Sequence, residues 1–184
     1  MKKISALILA LLIAITSSAQ TASAVQKIRE MYASALNLVK MQDVYREDGI
    51  PENNTQIVMK RNLPGTGEQK SVMNFYYSED DSEESFESNR FFFPVFVTVK
   101  YNYAAVNFYD EYLFDEEGKP AFLYRRSDSY SEEGKADEQR FYIAGGKVVK
   151  KLINVTPQAN VIEDPMEEFS NITAIFNSLI APIH

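Results

Sequence analysis

Two segments of this chain, one near each end, carry apolar residues at helical spacing. From Thr21 to about Gln42 the apolar positions follow three- and four-residue steps, which predicts an amphipathic helix capped by Thr21 or Ser23. A second helix is predicted to begin after Asp164, an N-cap residue that is followed by Pro165. In each helix the apolar residues form one stripe that is expected to face the core. The stripes comprise Val25, Ile28, Met31, Tyr32, Ala35, Leu36 and Val39, and then Met166, Phe169, Ile172, Phe176 and Leu179.

Between these helices the apolar period shortens to two, which predicts β-strands separated by turns. The last strand pair is a hairpin around a two-residue Gly-Gly turn at 145–146, where both residues tolerate positive φ. The tight turn sets the pairing register and places Leu152 on the same face as Phe141. The predicted strand runs are 55–60, 71–77, 91–103, 106–114 and 120–126, and the hairpin covers 139–153. Its predicted pairs are Ile143 with Val148 and Phe141 with Lys150.

This order of elements predicts an α+β fold, in which an antiparallel β-meander of about six strands packs against an N-terminal and a C-terminal helix. The chain has 12 Phe and 11 Tyr, and many of them are adjacent in the strands. Because neighbouring side chains on a strand point to opposite faces, these rings must divide between the two sides of the sheet. One face is expected to pack under both helices. The other face is then either an exposed aromatic surface or is buried by curvature of the sheet.

The first nineteen residues have the organisation of a secretory signal peptide. Lys2 and Lys3 precede an apolar run from Ile4 to Ile15, and small residues follow up to Ala19. The run is too short for a membrane-spanning helix, which needs about 20 apolar residues. We therefore expect cleavage after Ala19, a single α+β domain over residues 20–184, and export to the periplasm or the medium.

Charge and composition exclude several classes of function. Removing Lys2 and Lys3 lowers the basic count from 19 to 17 against 26 acidic residues, so the net charge falls from −7 to −9. Nucleic acids and anionic membrane surfaces are not expected partners of such an acidic chain. The chain has no cysteine and only one histidine, His184 at its end, so thiolate sites, histidine metal clusters and Ser-His-Asp triads are not expected.

Three other patterns resemble functional motifs. Residues 63–67, LPGTG, resemble a sortase sorting signal but lack the apolar segment and basic tail that follow one, so a hairpin turn is predicted. The acidic run at 79–85 has no glycine to fold it into a calcium loop and is interpreted as a solvated loop within 78–90. The third pattern is a set of carboxylates that could form a hydrolytic pair or could instead be paired with Arg125, Arg126 or Lys151 across the sheet. This set comprises Asp110, Glu111, Asp115 and Glu116.

These observations identify no catalytic, cofactor-binding or metal-binding residue. The sequence favours a non-enzymatic, exported binding module that uses an aromatic sheet face to contact another envelope protein. One alternative is a carrier in which a curved sheet encloses an apolar or lipid ligand. The other alternative is a carboxylate-based hydrolase, which requires two of the acidic residues above to converge in one cleft.

Overall fold

The computed structural model describes residues 2–48, 53–65, 67–79, 92–103, 106–128, 136–157 and 159–180. Helix α1 is followed by seven strands and then by helix α2, in agreement with the predicted α+β order. The elements are α1 (Lys2–Asp48), β1 (Asn54–Leu63), β2 (Gly67–Glu79), β3 (Phe92–Tyr103), β4 (Val106–Phe114), β5 (Pro120–Ser127), β6 (Asp137–Ala144), β7 (Lys147–Asn154) and α2 (Pro165–Leu179).

The strands form one antiparallel sheet in which each strand pairs with its neighbour in the chain, in the order β1 to β7. Three glycine-containing turns fall where the sequence predicts them. Leu63 pairs with Gly67 across the LPGTG turn, Gly118 has a φ of 71°, and the Gly145-Gly146 turn has φ values of 57° and 69°. Next to Pro94, Val95 is an extra residue opposite β2, which is the bulge that a proline in a strand favours.

The two helices lie on opposite faces of the sheet, so the expectation that both cover one face is wrong. Val25, Ile28 and Ala35 of α1 pack against one set of strand residues that includes Phe96 and Phe122. Helix α2 packs against the other face. The physical reason is that successive side chains of a strand point to opposite faces, so both faces of β2–β6 carry large apolar side chains. If both helices covered the same face, the apolar side chains of the other face would remain in water. The α2-side core comprises Met73, Phe75, Tyr77, Val97, Val99, Tyr112, Phe114, Leu123, Phe141 and Ile143 with Ile162, Phe169, Ile172, Phe176 and Ile180.

Helix α1 confirms the predicted stripe but not the predicted start. The buried and half-buried residues of its stripe all pack in one cluster against the sheet. The helix does not begin at Thr21 or Ser23, because it continues upstream to Lys2. Residues 2–20 contain four Leu and four Ala, which are strong helix formers, and neither Gly nor Pro to end the helix.

Helix α2 begins as predicted, since the Asp164 side chain accepts a hydrogen bond of 2.8 Å from the Met166 N–H. Phe169, Ile172 and Phe176 are buried as expected and Met166 is half-buried, whereas the prediction fails at the end of the helix. Leu179 is 51% exposed, and Ile180, four residues after Phe176, is the buried residue there. The prediction for Leu179 is wrong because Ile180 instead extends the four-residue spacing along the stripe.

The hairpin of β6 and β7 has the predicted turn but a different register. Ile143 pairs with Val148 as predicted, whereas Phe141 pairs with Lys151 rather than with Lys150. Val149 is an extra residue in β7, and this bulge shifts every later residue by one. Leu152 therefore faces the α1 side and is 42% exposed, instead of sharing the α2 side with Phe141.

Candidate functional site

Helix α1 crosses only one end of its sheet face and leaves the other end open. Side chains of β2 to β5 form the floor there, in two rows that run across the strands. They line an open depression of about 560 Å³, which we call the cationic groove. Its lining residues are Lys70, Val72, Lys100, Asn102, Asn107, Tyr109, Arg126 and Asp128, together with Tyr101 and Phe108, whose side chains lie on the α2 side of the sheet.

Three basic side chains face this groove, those of Lys70, Lys100 and Arg126. Val72 pairs with Lys100, Lys100 with Tyr109, and Tyr109 with Arg126, so these residues form one row from β2 to β5. Lys70 lies two residues from Val72 in the adjoining row. Because neighbouring strands are about 4.8 Å apart, the cations span roughly 14 Å from β2 to β5. They form a local excess of positive charge in a chain whose net charge is −7.

Tyr109 is the aromatic centre of the cationic groove. Lys100 Nζ lies 5.8 Å from its ring centroid, within the range of a cation–π contact. Arg126 is 3.5 Å from Asp128, and both side chains are more than half exposed, so this ion pair contributes little and leaves the guanidinium accessible. The groove thus combines a half-buried ring with three solvent-accessible cations.

Glu111 fixes the orientation of the Tyr109 ring and attaches the helix to the sheet. Its carboxylate accepts hydrogen bonds from the Tyr109 hydroxyl at 2.8 Å and from the Tyr32 hydroxyl of α1 at 2.6 Å. Burial and then the Glu111 carboxylate raise the pKa of both tyrosines well above the ordinary value, so both hydroxyls remain protonated donors. The Glu111 carboxylate therefore positions the Tyr109 ring of the groove and, through its bond to Tyr32, also holds α1 against the sheet.

Polar side chains also fix the β2–β3 side of the groove. Asn102 accepts a hydrogen bond from the Lys70 N–H at 2.8 Å and donates to the Glu68 carbonyl at 3.0 Å. On the same face, Asn74 donates to the Thr98 hydroxyl at 3.1 Å. These bonds hold β2 and β3 in register beneath Lys70 and Lys100.

The four carboxylates that the sequence singled out do not come together. Asp110 points to the α2 side, and Glu111, the next residue, points to the α1 side. Asp115 accepts hydrogen bonds from two N–H groups of its own turn, those of Glu117 and Lys119. Glu116 is exposed at that turn.

Asp110 belongs to a buried ion pair with Arg125, one of the partners that the sequence suggested. Two Arg125 nitrogens bond its two carboxylate oxygens at 2.9 and 2.7 Å. Burial is the largest influence on the Asp110 carboxyl and raises its pKa, while the bonds from Arg125 oppose that shift. Arg125 also lies 3.3 Å from Glu168 of α2, so the pair attaches that helix to the sheet.

The remaining motif candidates contribute no side chain to the described site. The acidic run lies outside the described residues from residue 80 onward, and His184 also lies outside them, whereas Ser78 and Glu79 extend β2 rather than start a loop. Across the described ranges, no three Asp, Glu or His side chains lie close enough together to hold a metal ion.

No protein-family model, no curated protein and no solved structure matches this chain. No helix in the part of the chain that the structure describes is both long and apolar enough to cross a membrane.

The cationic groove was not found by sequence reasoning. Lys70, Lys100 and Arg126 are 30 and 26 residues apart in the chain, and no motif connects them. One part of the groove was nevertheless visible in the sequence. Because side chains alternate along β3, Lys100 points to the same face as Thr98, away from the face of Val97 and Val99. Strand pairing was needed to bring the three cations together.

Proposed function

We propose that this protein is a non-enzymatic binding module that captures an acidic, extended segment of another protein in the cationic groove. The observation that carries the proposal is the set of Lys70, Lys100 and Arg126 around the half-buried ring of Tyr109. These cations lie together although acidic residues outnumber basic ones by 26 to 19. Opposite charge on the partner supplies both orientation and a faster encounter.

The spacing of the cations favours a peptide segment over a small anion. A single carboxylate or phosphate cannot contact cations that span roughly 14 Å across the sheet. An extended chain rises about 3.3 Å per residue, so four or five residues cross the groove and alternate side chains face it. Each exposed ion pair contributes only about 0.2–1 kcal/mol, and binding therefore needs several carboxylates together with contact to the Tyr109 ring.

The positions of the acidic residues support a binding role over hydrolysis. Hydrolysis of a glycoside needs two carboxyl groups that flank one bond. Here Asp110 is bound to Arg125 on the α2 side, and Glu111 is bound to two tyrosine hydroxyls on the α1 side. Each carboxylate already has a structural role that accounts for its position.

Export forms the second part of the proposal. Among the side chains that the structure describes, the first buried one is Val25, so cleavage after Ala19 removes none of these buried contacts between α1 and the sheet. We expect the protein secreted by a bacterial host to begin at Gln20, as read by intact mass and N-terminal sequencing. A cell-associated product that retains Lys2 and Lys3 would contradict export.

Charge reversal in the groove should weaken binding of an acidic peptide. We expect Lys100→Glu and Arg126→Glu each to raise the Kd for a fluorescently labelled deca-glutamate peptide about tenfold, equivalent to 1.4 kcal/mol. Fluorescence anisotropy at low salt measures this change. Lys147→Glu is the matched control, because it makes the same change in net charge at the exposed β6–β7 turn and should leave the Kd within about twofold.

Two outcomes would contradict the proposed function. An equal loss in Lys147→Glu would show that only net charge matters and that the cationic groove is not the site. Tighter binding of a single-stranded oligonucleotide of the same length would instead indicate a phosphate polymer as the partner.

A further inference from the structure

A second concave site lies between α1 and the sheet, on the same face as the cationic groove. Its volume is about 330 Å³, and it shares no lining residue with the groove. Ile28, Arg29 and Tyr32 line it from the helix. Phe122, Tyr124, Arg140 and Tyr142 line it from β5 and β6. We call this site the aromatic cleft.

The walls of the aromatic cleft are mainly rings. Tyr32 meets Phe122 edge-on at a centroid distance of 5.4 Å, and Phe122 lies 5.0 Å from Tyr142. Tyr32 is also held by its bond to Glu111, so its ring is fixed from outside the cleft. The rings of Tyr32 and Tyr124 are half-buried and can stack against a planar apolar group, whereas Phe122 and Tyr142 are each 6% exposed and offer it only a narrow strip of ring surface.

The cleft also carries positive charge. Arg140 places its guanidinium carbon 5.1 Å from the Tyr124 ring centroid and donates to Glu138 at 2.7 Å. Glu138 also accepts a hydrogen bond of 2.9 Å from the Tyr124 hydroxyl, so each of its two carboxylate oxygens already has a hydrogen-bond donor. Arg29 forms no ion pair with any described residue. Lys150 Nζ also lies 6.0 Å from the Tyr142 ring centroid, and the Glu111 carboxylate is bonded to Tyr32. Three cations, Arg29, Arg140 and Lys150, therefore border the cleft with two carboxylates, Glu138 and Glu111, which leaves an excess of one positive charge.

We propose that the aromatic cleft binds a small aromatic anion, a planar ring system that bears one carboxylate or sulfonate group. The rings of Tyr32, Phe122 and Tyr142 contact the planar body, and Arg29 and Arg140 hold the anionic group. The volume lies at the lower end of the range of about 300–1,000 Å³ for ligand sites, which suits one or two fused rings rather than a long acyl chain. This site is independent of the acidic-peptide site in the cationic groove.

The probe for the test is 8-anilinonaphthalene-1-sulfonate, whose fluorescence rises when its rings leave water. We expect binding to the full-length folded protein at one probe per chain. Arg29→Gln and Arg140→Gln should each raise the Kd about tenfold, which is the lower end of the loss expected for one charge-assisted hydrogen bond. Arg126→Gln in the cationic groove is the matched control and should leave the Kd unchanged. N-Phenyl-1-naphthylamine, which has similar rings without the sulfonate, should bind at least fivefold more weakly.

Partly folded protein also binds this probe, so near-UV circular dichroism and the urea midpoint of each variant must match those of the wild type. Loss of binding in Arg126→Gln with full binding in Arg29→Gln and Arg140→Gln would place the probe in the groove and overturn the proposal. Equal affinity for the uncharged naphthylamine would overturn the anionic part of it. Stoichiometry above one with no effect of any variant would show non-specific adsorption, which also overturns it.

Discussion

Replacing Arg125 by methionine should lower the free energy of unfolding by about 3–5 kcal/mol. Arg125 and Asp110 have side chains that are only 8% and 2% exposed, and the substitution leaves the Asp110 carboxylate buried without its cation. The loss is measured by urea denaturation at pH 7. Arg126→Met is the matched control, because Arg126 is the next residue on β5 and its side chain is 53% exposed; it should cost less than about 0.5 kcal/mol.

The pH dependence of this loss distinguishes a buried charge from lost packing. Without Arg125, nothing of comparable strength opposes the effect of burial, so the folded-state pKa of Asp110 lies further above its unfolded value of about 3.9. A carboxyl with a raised folded-state pKa favours folding below its unfolded pKa, and that contribution is lost as the pH rises. The deficit of Arg125→Met should therefore be smaller at pH 4 than at pH 8. A deficit that is the same at both values would contradict the ion-pair explanation.

Replacing Phe176 by alanine should also lower the free energy of unfolding by about 3–5 kcal/mol. Phe176 is completely buried, and its ring centroid lies 6.1 Å from that of Phe75 and 5.8 Å from that of Tyr77. Truncation leaves a cavity between α2 and the sheet. Urea denaturation measures the loss, and retained far-UV circular dichroism in the absence of urea shows that the variant still folds.

Leu179→Ala is the control for the position of α2. Leu179 lies on the same helix and is 51% exposed, so its truncation should cost less than about 1 kcal/mol. A large loss in Leu179→Ala with a small loss in Phe176→Ala would mean that α2 is rotated about its axis relative to the structure described above.

The elements of this fold are predictable because their signals are local. The helical stripes, the alternating strands, the Gly145-Gly146 turn and the Asp164 cap each depend on residues within a few positions of one another. Register is less local. The extra residue at Val149 moves Leu152 to the opposite face, and the sequence offers no marker for it, since Val149 is neither Gly nor Pro and follows another valine.

The placement of the helices on opposite faces depends on long-range packing. Stretches such as Phe75-Tyr76-Tyr77 supply rings to both faces, so the pattern indicates two apolar faces without indicating which helix covers which. Which helix covers which face depends on how much apolar surface each helix buries there. The geometry with which the helix crosses the strands sets that area. Helix α1 covers one end of its face, and that partial cover creates the cationic groove.

The alternation of side chains along a strand predicts part of the candidate site but not the cationic groove. Asp110 and Glu111 are adjacent on a strand, so alternation alone predicts opposite faces and argues against a catalytic pair. The groove was missed for a different reason. Lys70, Lys100 and Arg126 come together only when the meander and its register are known.

The most direct test of the central claim is chemical-shift mapping of ¹⁵N-labelled protein during titration with deca-glutamate at low salt. An acidic segment in the cationic groove should perturb the backbone amides around Lys70, Lys100, Tyr109 and Arg126, and 0.5 M NaCl should abolish the changes. Perturbations centred on Lys147, Lys150 and Lys151 of β7, or spread evenly over all lysines, would contradict recognition by the groove.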